Sequence, residues 1–297
     1  MKVIVFSKSN LFSSNILSLM LSKNLLKLSK TNKINPKEIY NVYIDNKLIK
    51  DIKAIEVDNF LYLTAKDITN IEKEFNETCE FIIISSHKSK TKQIDTISIH
   101  FCGNFNKNEF GGEENNFSVA NLDAFEYLYH KISLDKNKPK GLNFFVEATH
   151  HGPTINKPLL FYEIGPNDVA YNNKIYQEYY LSKLLDYLKD NKKNNLQAYI
   201  LIGAPHYLDV DLINSIKTRM NKKYNKKEFI LSHIMPKYSL KKLLEEDDSK
   251  IEIVFSRLID KAQTGNIIFY KRYLKSLTRL KDIVKKIEKK GINYFII

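Results

Sequence analysis

The stretch EATHHGPT at residues 147–154 holds the densest group of residues in this chain that could do chemistry. It places Glu147, His150 and His151 within five positions, at the end of an apolar run. Near neutral pH, histidine acts as a general base, a general acid or a metal ligand, and a nearby carboxylate can orient it. The stretch therefore indicates a catalytic base, a metal site or a polar strand end.

Similar polar residues follow four other apolar runs. They are Ser86, His87 and Lys88 in SSHKS, His100 and Asn104 in HFCGN, His206 in GAPHY, and His233 and Lys237 in HIMPKY. In open parallel α/β sheets, ligands bind beyond the carboxyl ends of the strands. We therefore expect these residues to converge with EATHHGPT at one edge of a sheet, whereas His130 lies on a predicted helix.

Two kinds of hydrolytic chemistry fit these residue types. Three of the side chains Glu147, His150, His151 and His206 would suit a zinc site with three protein ligands and a water, although no HExxH or CxxC spacing marks one. Alternatively, the histidines promote addition of water to a carbonyl, with backbone amides of the glycine turns stabilising the oxyanion. The chain lacks GxSxG, a P-loop and GxGxxG, which argues against a serine hydrolase, an NTPase and a dinucleotide-binding enzyme.

Two further features allow both a functional and a structural interpretation. The cysteines, Cys79 and Cys102, are too few for a disulfide framework or a cysteine-rich zinc site. Cys102 is either a nucleophile or a small apolar residue of a strand. The polar loop GGEENNFS at 111–118 is either a lid or a solvated connection.

Strands and helices alternate along the chain, and the continuously apolar strands predict a sheet covered on both faces. The predicted strands are 2–7, 39–45, 52–58, 79–86, 95–101, 142–149, 158–165, 196–203 and 227–234. The predicted helices are 14–29, 65–75, 121–133, 172–190, 210–220 and one from about Ser239. We predict an α/β fold, a single three-layer domain over 1–297 with a largely parallel central sheet. Residues 266–297 are predicted to be a basic C-terminal extension packed on it.

Net charge and hydropathy limit the classes of molecule that this chain could bind. The net charge is +13 and the pI is about 9.3, which favours polyanionic partners, nucleic acid first. No apolar stretch approaches the roughly 20 residues of a membrane span. The start of the chain turns polar too early for a signal peptide. We therefore expect a cytoplasmic protein.

The quoted motifs occur in an order and spacing that resemble the archaeal and plant type of D-aminoacyl-tRNA deacylase. ATHHGPT and GAPHY carry most of the resemblance, which spans about residues 1–245 and includes the opening FSKSNLFSSNI. Two positions depart from the family's pattern. Ser86 stands where the family often has arginine, and KSNLFSS stands where an acidic-Pro element is usual.

The resemblance implies a hydrolase that cleaves the ester between a D-amino acid and the 3′-terminal ribose of tRNA, for chiral proofreading and tRNA recycling. It also implies zinc, a monomer, and a fold related to nucleoside phosphorylases and peptidyl-tRNA hydrolases. The predicted catalytic residues are the motif histidines His87, His100, His150, His151 and His206, together with Glu147. The predicted substrate or tRNA contacts are Ser86, Lys88, Asn104, Gly152, Thr154 and Lys237, and the predicted zinc ligands are His150, His151 and His206.

Two other functions fit the same residues. A zinc-dependent peptidase or amidase would act on peptides with no need for tRNA. A non-catalytic tRNA-binding protein would bind tRNA with salt-dependent affinity and no turnover.

Overall fold

The computed structural model describes residues 1–31, 36–89, 93–108, 110–190, 196–270 and 292–297. Its strands are β1 (Lys2–Ser7), β2 (Leu26–Thr31), β3 (Glu38–Ile44), β4 (Lys47–Val57), β5 (Glu80–Ser86), β6 (Thr96–His100), β7 (Gly103–Asn104), β8 (Asn116–Phe117), β9 (Val119–Ala120), β10 (Asn143–Glu147), β11 (Pro158–Gly165), β12 (Ala198–Ala204), β13 (Tyr207–Leu208), β14 (Ile230–Pro236), β15 (Asn266–Phe269) and β16 (Asn293–Ile296). Its helices are α1 (Leu11–Ser22), α2 (Ala65–Phe75), α3 (Leu122–Ser133), α4 (Asp168–Asn172), α5 (Lys174–Lys189), α6 (Val210–Tyr224), α7 (Lys237–Leu243) and α8 (Asp248–Ala262).

Within these ranges most strands belong to two sheets. The larger sheet has the order β13-β10-β6-β11-β5-β1-β4-β3-β2, with β9 paired to β11, and the smaller sheet has the order β14-β12-β15-β16. Strands β7 and β8 pair separately. Most pairs in the two large sheets are parallel, which confirms the predicted α/β fold with a largely parallel central sheet.

Alternation along the strands gives the larger sheet two apolar faces. One face carries Ile4, Phe6, Ile82, Ile84, Leu160 and Tyr162, and helices α1, α3 and α5 pack on it. The other face carries Val3, Val5, Phe81, Ile83, Leu159 and Phe161, covered by Ile68 and Ile71 of α2. Helices therefore cover both faces of this sheet, as the continuously apolar strands predict.

The direction of two strands differs from the expectation of a single carboxyl edge. β11 runs parallel to β5 but antiparallel to β6, and β10 follows β6. The carboxyl ends of β6 and β10 therefore point opposite to that of β5. The expectation does hold in the smaller sheet, where β12 and β14 are parallel and lead into His206 and Lys237.

The predicted helix over 14–29 is wrong in both bounds. α1 begins at Leu11 because the side chain of Asn10 accepts a hydrogen bond from the amide of Ser13, so Asn10 is the N-cap. It ends at Ser22, and Asn24 then adopts a left-handed conformation with a φ of 57°. The chain reverses there, so Leu26–Thr31 forms β2.

The predicted C-terminal extension begins inside the smaller sheet. Residues Asn266–Phe269 form β15, which pairs with β12 on one side and with β16 on the other. Residues 271–291, and with them the predicted basic helix, lie outside the described residues. One apolar cluster includes Leu160 of the larger sheet and Leu201 of the smaller. That residues 1–297 form a single domain stays a prediction.

A buried histidine joins the two sheets. His233 lies within β14 with no solvent exposure, not beyond a strand end as the sequence suggested. Its Nδ1 lies 3.1 Å from the hydroxyl of Thr149, and its Nε2 lies 2.9 Å from the carbonyl oxygen of Ser118. The same hydroxyl accepts the amide of Ile234. His233 is therefore a structural residue that anchors the chain just before His150.

We expect His233 to make the fold less stable as pH falls from about 6.5 to about 4. Burial holds the pKa of its imidazole at about 4, so over this range the unfolded chain binds a proton that the folded chain does not. At 1.36 kcal/mol per pKa unit the contribution is about 3 kcal/mol. The urea unfolding free energy of His233→Gln should fall less steeply with acidification than that of the wild type. Equal slopes would contradict the prediction.

Candidate active site

Several polar side chains share one face of the larger sheet. In the antiparallel register Phe161 pairs with His100 and Glu163 pairs with Ser98, so Glu163 and His100 project from the same face. Val146 pairs with Ile99, which places the next residue, Glu147, beside His100 on that face. The site therefore lies on the face of the sheet where strands of opposite direction meet.

Glu147 is the centre of this group. Its side chain is 1% exposed, and its Oε1 lies 3.3 Å from Nδ1 of His87. Its Oε2 lies 3.3 Å from Nε2 of His206 and 4.0 Å from Nε2 of His150. The loop after β12 supplies His206, and the end of β5 supplies His87. The structure thus brings all these predicted catalytic residues together.

Glu163 is a second buried carboxylate that the sequence analysis missed. Its Oε2 lies 3.6 Å from Nε2 of His100 and 3.7 Å from Nδ1 of His87. The residue lies inside the apolar strand PLLFYEIG, whereas the predicted functional residues follow apolar runs or end them. A charged residue in the middle of a buried strand was the signal that could have found it.

Both adjacent histidines face the same cavity, because His151 has a φ of 45° and so breaks the alternation of side chains. Nδ1 of His150 lies 2.7 Å from the carbonyl oxygen of Ala148, and Nδ1 of His151 lies 2.7 Å from that of Gly152. A ring N–H donates in each contact, which leaves a lone pair on Nε2 of each neutral ring.

The charges of the group follow from burial and from its neighbours. Burial would raise the pKa of Glu147, but the imidazole of His206, 3.3 Å away, and the charges of His87 and His100 hold it below its ordinary value. Burial would lower the pKa of His100, but Glu163 raises it. Burial and the charge of His100 lower the pKa of His151 to about 4.

His150 is affected in the same direction. Burial and the charges of His100, His151 and His206 lower its pKa well below the ordinary value. At neutral pH the site therefore combines an ionised Glu147 with neutral His150 and His151. Neutral rings can accept a proton or bind a metal ion.

A cavity of about 680 Å³ opens in front of the histidines. Thr149, His150, His151 and His206 form one wall, and Tyr238 of α7 lies beside them. The hydroxyl of Tyr238 lies 3.0 Å from Nδ1 of His206. Pockets of this size take small molecules and cofactors, and this one is bordered by neutral imidazoles.

The loop from Phe110 to Asn115 also borders the cavity, and two residues predicted to bind substrate, Asn104 and Thr154, hold it in place. The amide of Asn104 donates to the carbonyl oxygens of Gly111 and Glu113. The hydroxyl of Thr154 accepts the amide of Glu113. These side chains are thus engaged with the loop, and a direct contact with substrate stays a prediction for them.

Glycines allow this loop to pack closely against EATHHGPT. A Cβ on Gly152 would lie 2.3 Å from the amide nitrogen of Gly112 and 2.5 Å from the carbonyl carbon of Gly111. The amide of Gly152 donates to Phe110, and the amide of Gly103 donates to His151. These two glycine amides are therefore already bonded, and the prediction that glycine turns supply the oxyanion donors does not hold for them.

The remaining predicted residues surround the group without joining it. The hydroxyl of Ser86 accepts a hydrogen bond from Asn10, and Lys88 and Lys237 are exposed. Cys102 is fully buried, and burial raises the pKa of its thiol well above the ordinary value. This argues against Cys102 as a nucleophile.

Three sets of side chains in the described residues could hold a metal ion. They are His100, His150 and His151; Glu147, His150 and His206; and His87, Glu147 and Glu163. The potential ligand atoms within each set lie within 4.8 Å of one another. Both Glu147 oxygens and Nε2 of His100 are buried without a hydrogen-bond partner among the described residues. The predicted ligands His150 and His206 fall in one set with Glu147.

Neutral histidines around a cavity, with an ionised carboxylate behind them on an α/β fold, suit a hydrolase that works by acid–base or metal chemistry. The sequence profile of D-aminoacyl-tRNA deacylases matches residues 74–295. The chain belongs to the D-aminoacyl-tRNA deacylase family. This confirms the predicted family and enzyme class, and it does not favour the peptidase or the non-catalytic alternative.

Individual relatives agree with the family assignment. The D-aminoacyl-tRNA deacylase of Ignicoccus hospitalis is 29% identical over 217 residues, which are 73% of this chain and 80% of that protein. That of Thermococcus onnurineus is 25% identical over 270 residues, which are 86% and 90%. The crystal structure of a conserved protein of unknown function matches with a TM-score of 0.75 at 19% identity, covering 100% of this chain and 95% of that one. It supports the fold alone.

We expect Gly152→Ala to destabilise the protein by roughly 1–3 kcal/mol or more, because the new methyl group meets backbone atoms that cannot rotate away. Gly265→Ala is the matched control, since its Cβ would meet nothing closer than 3.9 Å. Thermal and urea unfolding measure both variants. Equal stability of the two variants would contradict the close packing of the loop.

Proposed function

We propose that this chain hydrolyses the ester between a D-amino acid and the 3′-terminal ribose of tRNA in the cavity beside His150, His151 and His206. The observation that carries the proposal is the buried Glu147 with its surrounding histidines. An aminoacyl ester is already activated, so water needs only a positioned base and a donor for the leaving oxygen. The family assignment supplies the substrate class.

The side chains divide the work by their positions. His150 presents a neutral ring to the cavity, held by the carbonyl of Ala148, so it can accept a proton from water. His206 lies between the Tyr238 hydroxyl and the Glu147 carboxylate, in the order of a nucleophile–base–orienter triad. Glu147 positions His206 and His87 and does not itself line the cavity.

Zinc fits the donor set, although the spacing along the chain is not one that marks a zinc site. Glu147, His150 and His206 would hold the ion, which agrees with the buried Glu147 oxygens that lack a hydrogen-bond partner among the described residues. A carbonyl oxygen holds the second ring nitrogen of His150, as is usual for metal-bound histidine. A bound zinc ion would supply Lewis-acid activation of water or of the ester carbonyl.

The proposal includes the setting in which the enzyme acts. None of the described helices is long and apolar enough to cross a membrane. A net charge of +13 suits a tRNA substrate. We propose action in the cytoplasm, where aminoacyl-tRNA is used, and action as a monomer.

The purified protein should release D-tyrosine from D-Tyr-tRNA and leave L-Tyr-tRNA largely intact. The assay follows radiolabelled amino acid released from the two substrates side by side, with and without chelator. Loss of activity with chelator and its return on addition of zinc would support a zinc ion in the site. Equal hydrolysis of the two substrates, or hydrolysis of neither, would refute the proposed function.

We expect His150→Ala to lower kcat by about 10²- to 10⁴-fold while tRNA affinity changes little, because the ring acts on the reacting centre. Filter binding of uncharged tRNA measures the affinity separately from turnover. His130→Ala is the control, since His130 lies on α3 and does not line the cavity. Full activity in His150→Ala would remove this histidine from the mechanism.

A further inference from the structure

Two exposed aromatic rings line the same cavity as the histidines. Phe110 is 64% exposed and Tyr238 is 51% exposed, although the large aromatic residues of this chain are mostly buried. They come from different elements, the loop before β8 and helix α7. Exposed rings in a cavity wall offer flat apolar faces that no protein side chain fully covers.

Both residues are tied to the reacting wall, Phe110 through its backbone carbonyl and Tyr238 through its side-chain hydroxyl. The carbonyl oxygen of Phe110 accepts the amide of Gly152, the residue after His151, at 3.0 Å. The hydroxyl of Tyr238 lies 3.0 Å from His206, whose ring stacks on the tyrosine with centroids 6.2 Å apart. The faces are therefore held near the place where the ester would react.

Covalent geometry restricts what can lie against these faces. The scissile ester is attached directly to the terminal ribose, so the terminal base stays within one nucleoside of the reacting carbonyl. A cavity of about 680 Å³ has room for an amino acid and one nucleoside, but not for the folded tRNA. The base must then lie against the walls that the histidines do not occupy.

Charge at the mouth of the cavity argues against binding by phosphate attraction alone. The charged lining residues are Lys107, Lys242, Lys250, Glu114, Glu245 and Glu246. Lysines and glutamates are equal in number here, and Lys250 pairs with Glu246 at 3.0 Å. Because these charges largely cancel, the aromatic faces are the stronger source of binding energy at this point.

We propose that Phe110 and Tyr238 form a stacking platform for the terminal adenine of tRNA, with Phe110 as its main contact. The inference rests on the proposed function and adds the part of the substrate that this wall recognises. Proteins commonly hold single-stranded nucleic acids by stacking the bases on aromatic side chains. Such stacking needs no hydrogen bonds to the base edges. Tyr238 also contacts His206, so Phe110 gives the cleaner test.

Steady-state hydrolysis of D-Tyr-tRNA tests the platform. In Phe110→Leu we expect KM to rise about tenfold to one-hundredfold with kcat nearly unchanged, the range that loss of one base–aromatic stack produces. Phe110→Trp, which keeps a flat aromatic face, should have a KM close to that of the wild type. The control Tyr62→Leu removes a ring that is 62% exposed but does not line the cavity, and it should have no effect. A KM in Phe110→Leu within about twofold of the wild type would overturn the inference.

A binding measurement separates this inference from the proposed reaction. The probe is uncharged tRNA with 2-aminopurine at its 3′ end, whose fluorescence is quenched when the base stacks. The wild type should quench the probe, Phe110→Trp should quench it too, and Phe110→Leu should not. Equal quenching by Phe110→Leu overturns the platform even where hydrolysis is intact. Failure of the wild type to hydrolyse D-Tyr-tRNA instead counts against the proposed function.

Discussion

Burial of the ionised Glu147 carboxylate is the constraint on which the rest of the site depends. Moving a carboxylate out of water costs several kcal/mol unless it is paired with groups of opposite charge or coordinates a metal ion. Its partners come from separate places: His206 from the link between β12 of the smaller sheet and β13 of the larger sheet, and His87 from directly after β5. The two sheets must therefore dock in one orientation. The amide of Ala148 donates to His206 and that of Thr149 to Ile234, which fixes this docking at the backbone.

The backbone conformation directly after Glu147 also costs free energy, and it too serves to build the site. His151 adopts a left-handed conformation, which costs a non-glycine residue about 1–2 kcal/mol. Its carbonyl oxygen accepts the amide of Gly103, and its ring nitrogen contacts the carbonyl of Gly152. These bonds hold a conformation that the residue would otherwise avoid. The result is two neutral rings on one cavity wall instead of on opposite sides of a strand.

Much of this arrangement could be predicted from the sequence, because buried strands appear as apolar runs and functional residues follow them. The predicted histidines of the site do converge, but not for the expected reason. An apolar pattern is the same for either strand direction, so it could not show that β6 opposes β5. The nine residues between them, 87–95, were a readable signal, since a parallel crossover usually needs a dozen or more. Glu163 was missed because it lies inside a strand.

Proximity to a site and contact with its substrate are different properties, and hydrogen bonds distinguish them. Asn104 donates to two carbonyl oxygens of the loop from Phe110 to Asn115, and the hydroxyl of Thr154 accepts a hydrogen bond from an amide of this loop. That loop lacks regular pairing over most of its length, so side chains must hold it where a sheet would hold a strand. The carboxylate–histidine group is thus built on the rigid larger sheet and on segments packed against it, whereas the loop from Phe110 to Asn115 carries exposed residues that can change without moving the histidines. The loop can therefore determine which substrate fits the cavity, while the carboxylate–histidine group determines which reaction the substrate undergoes.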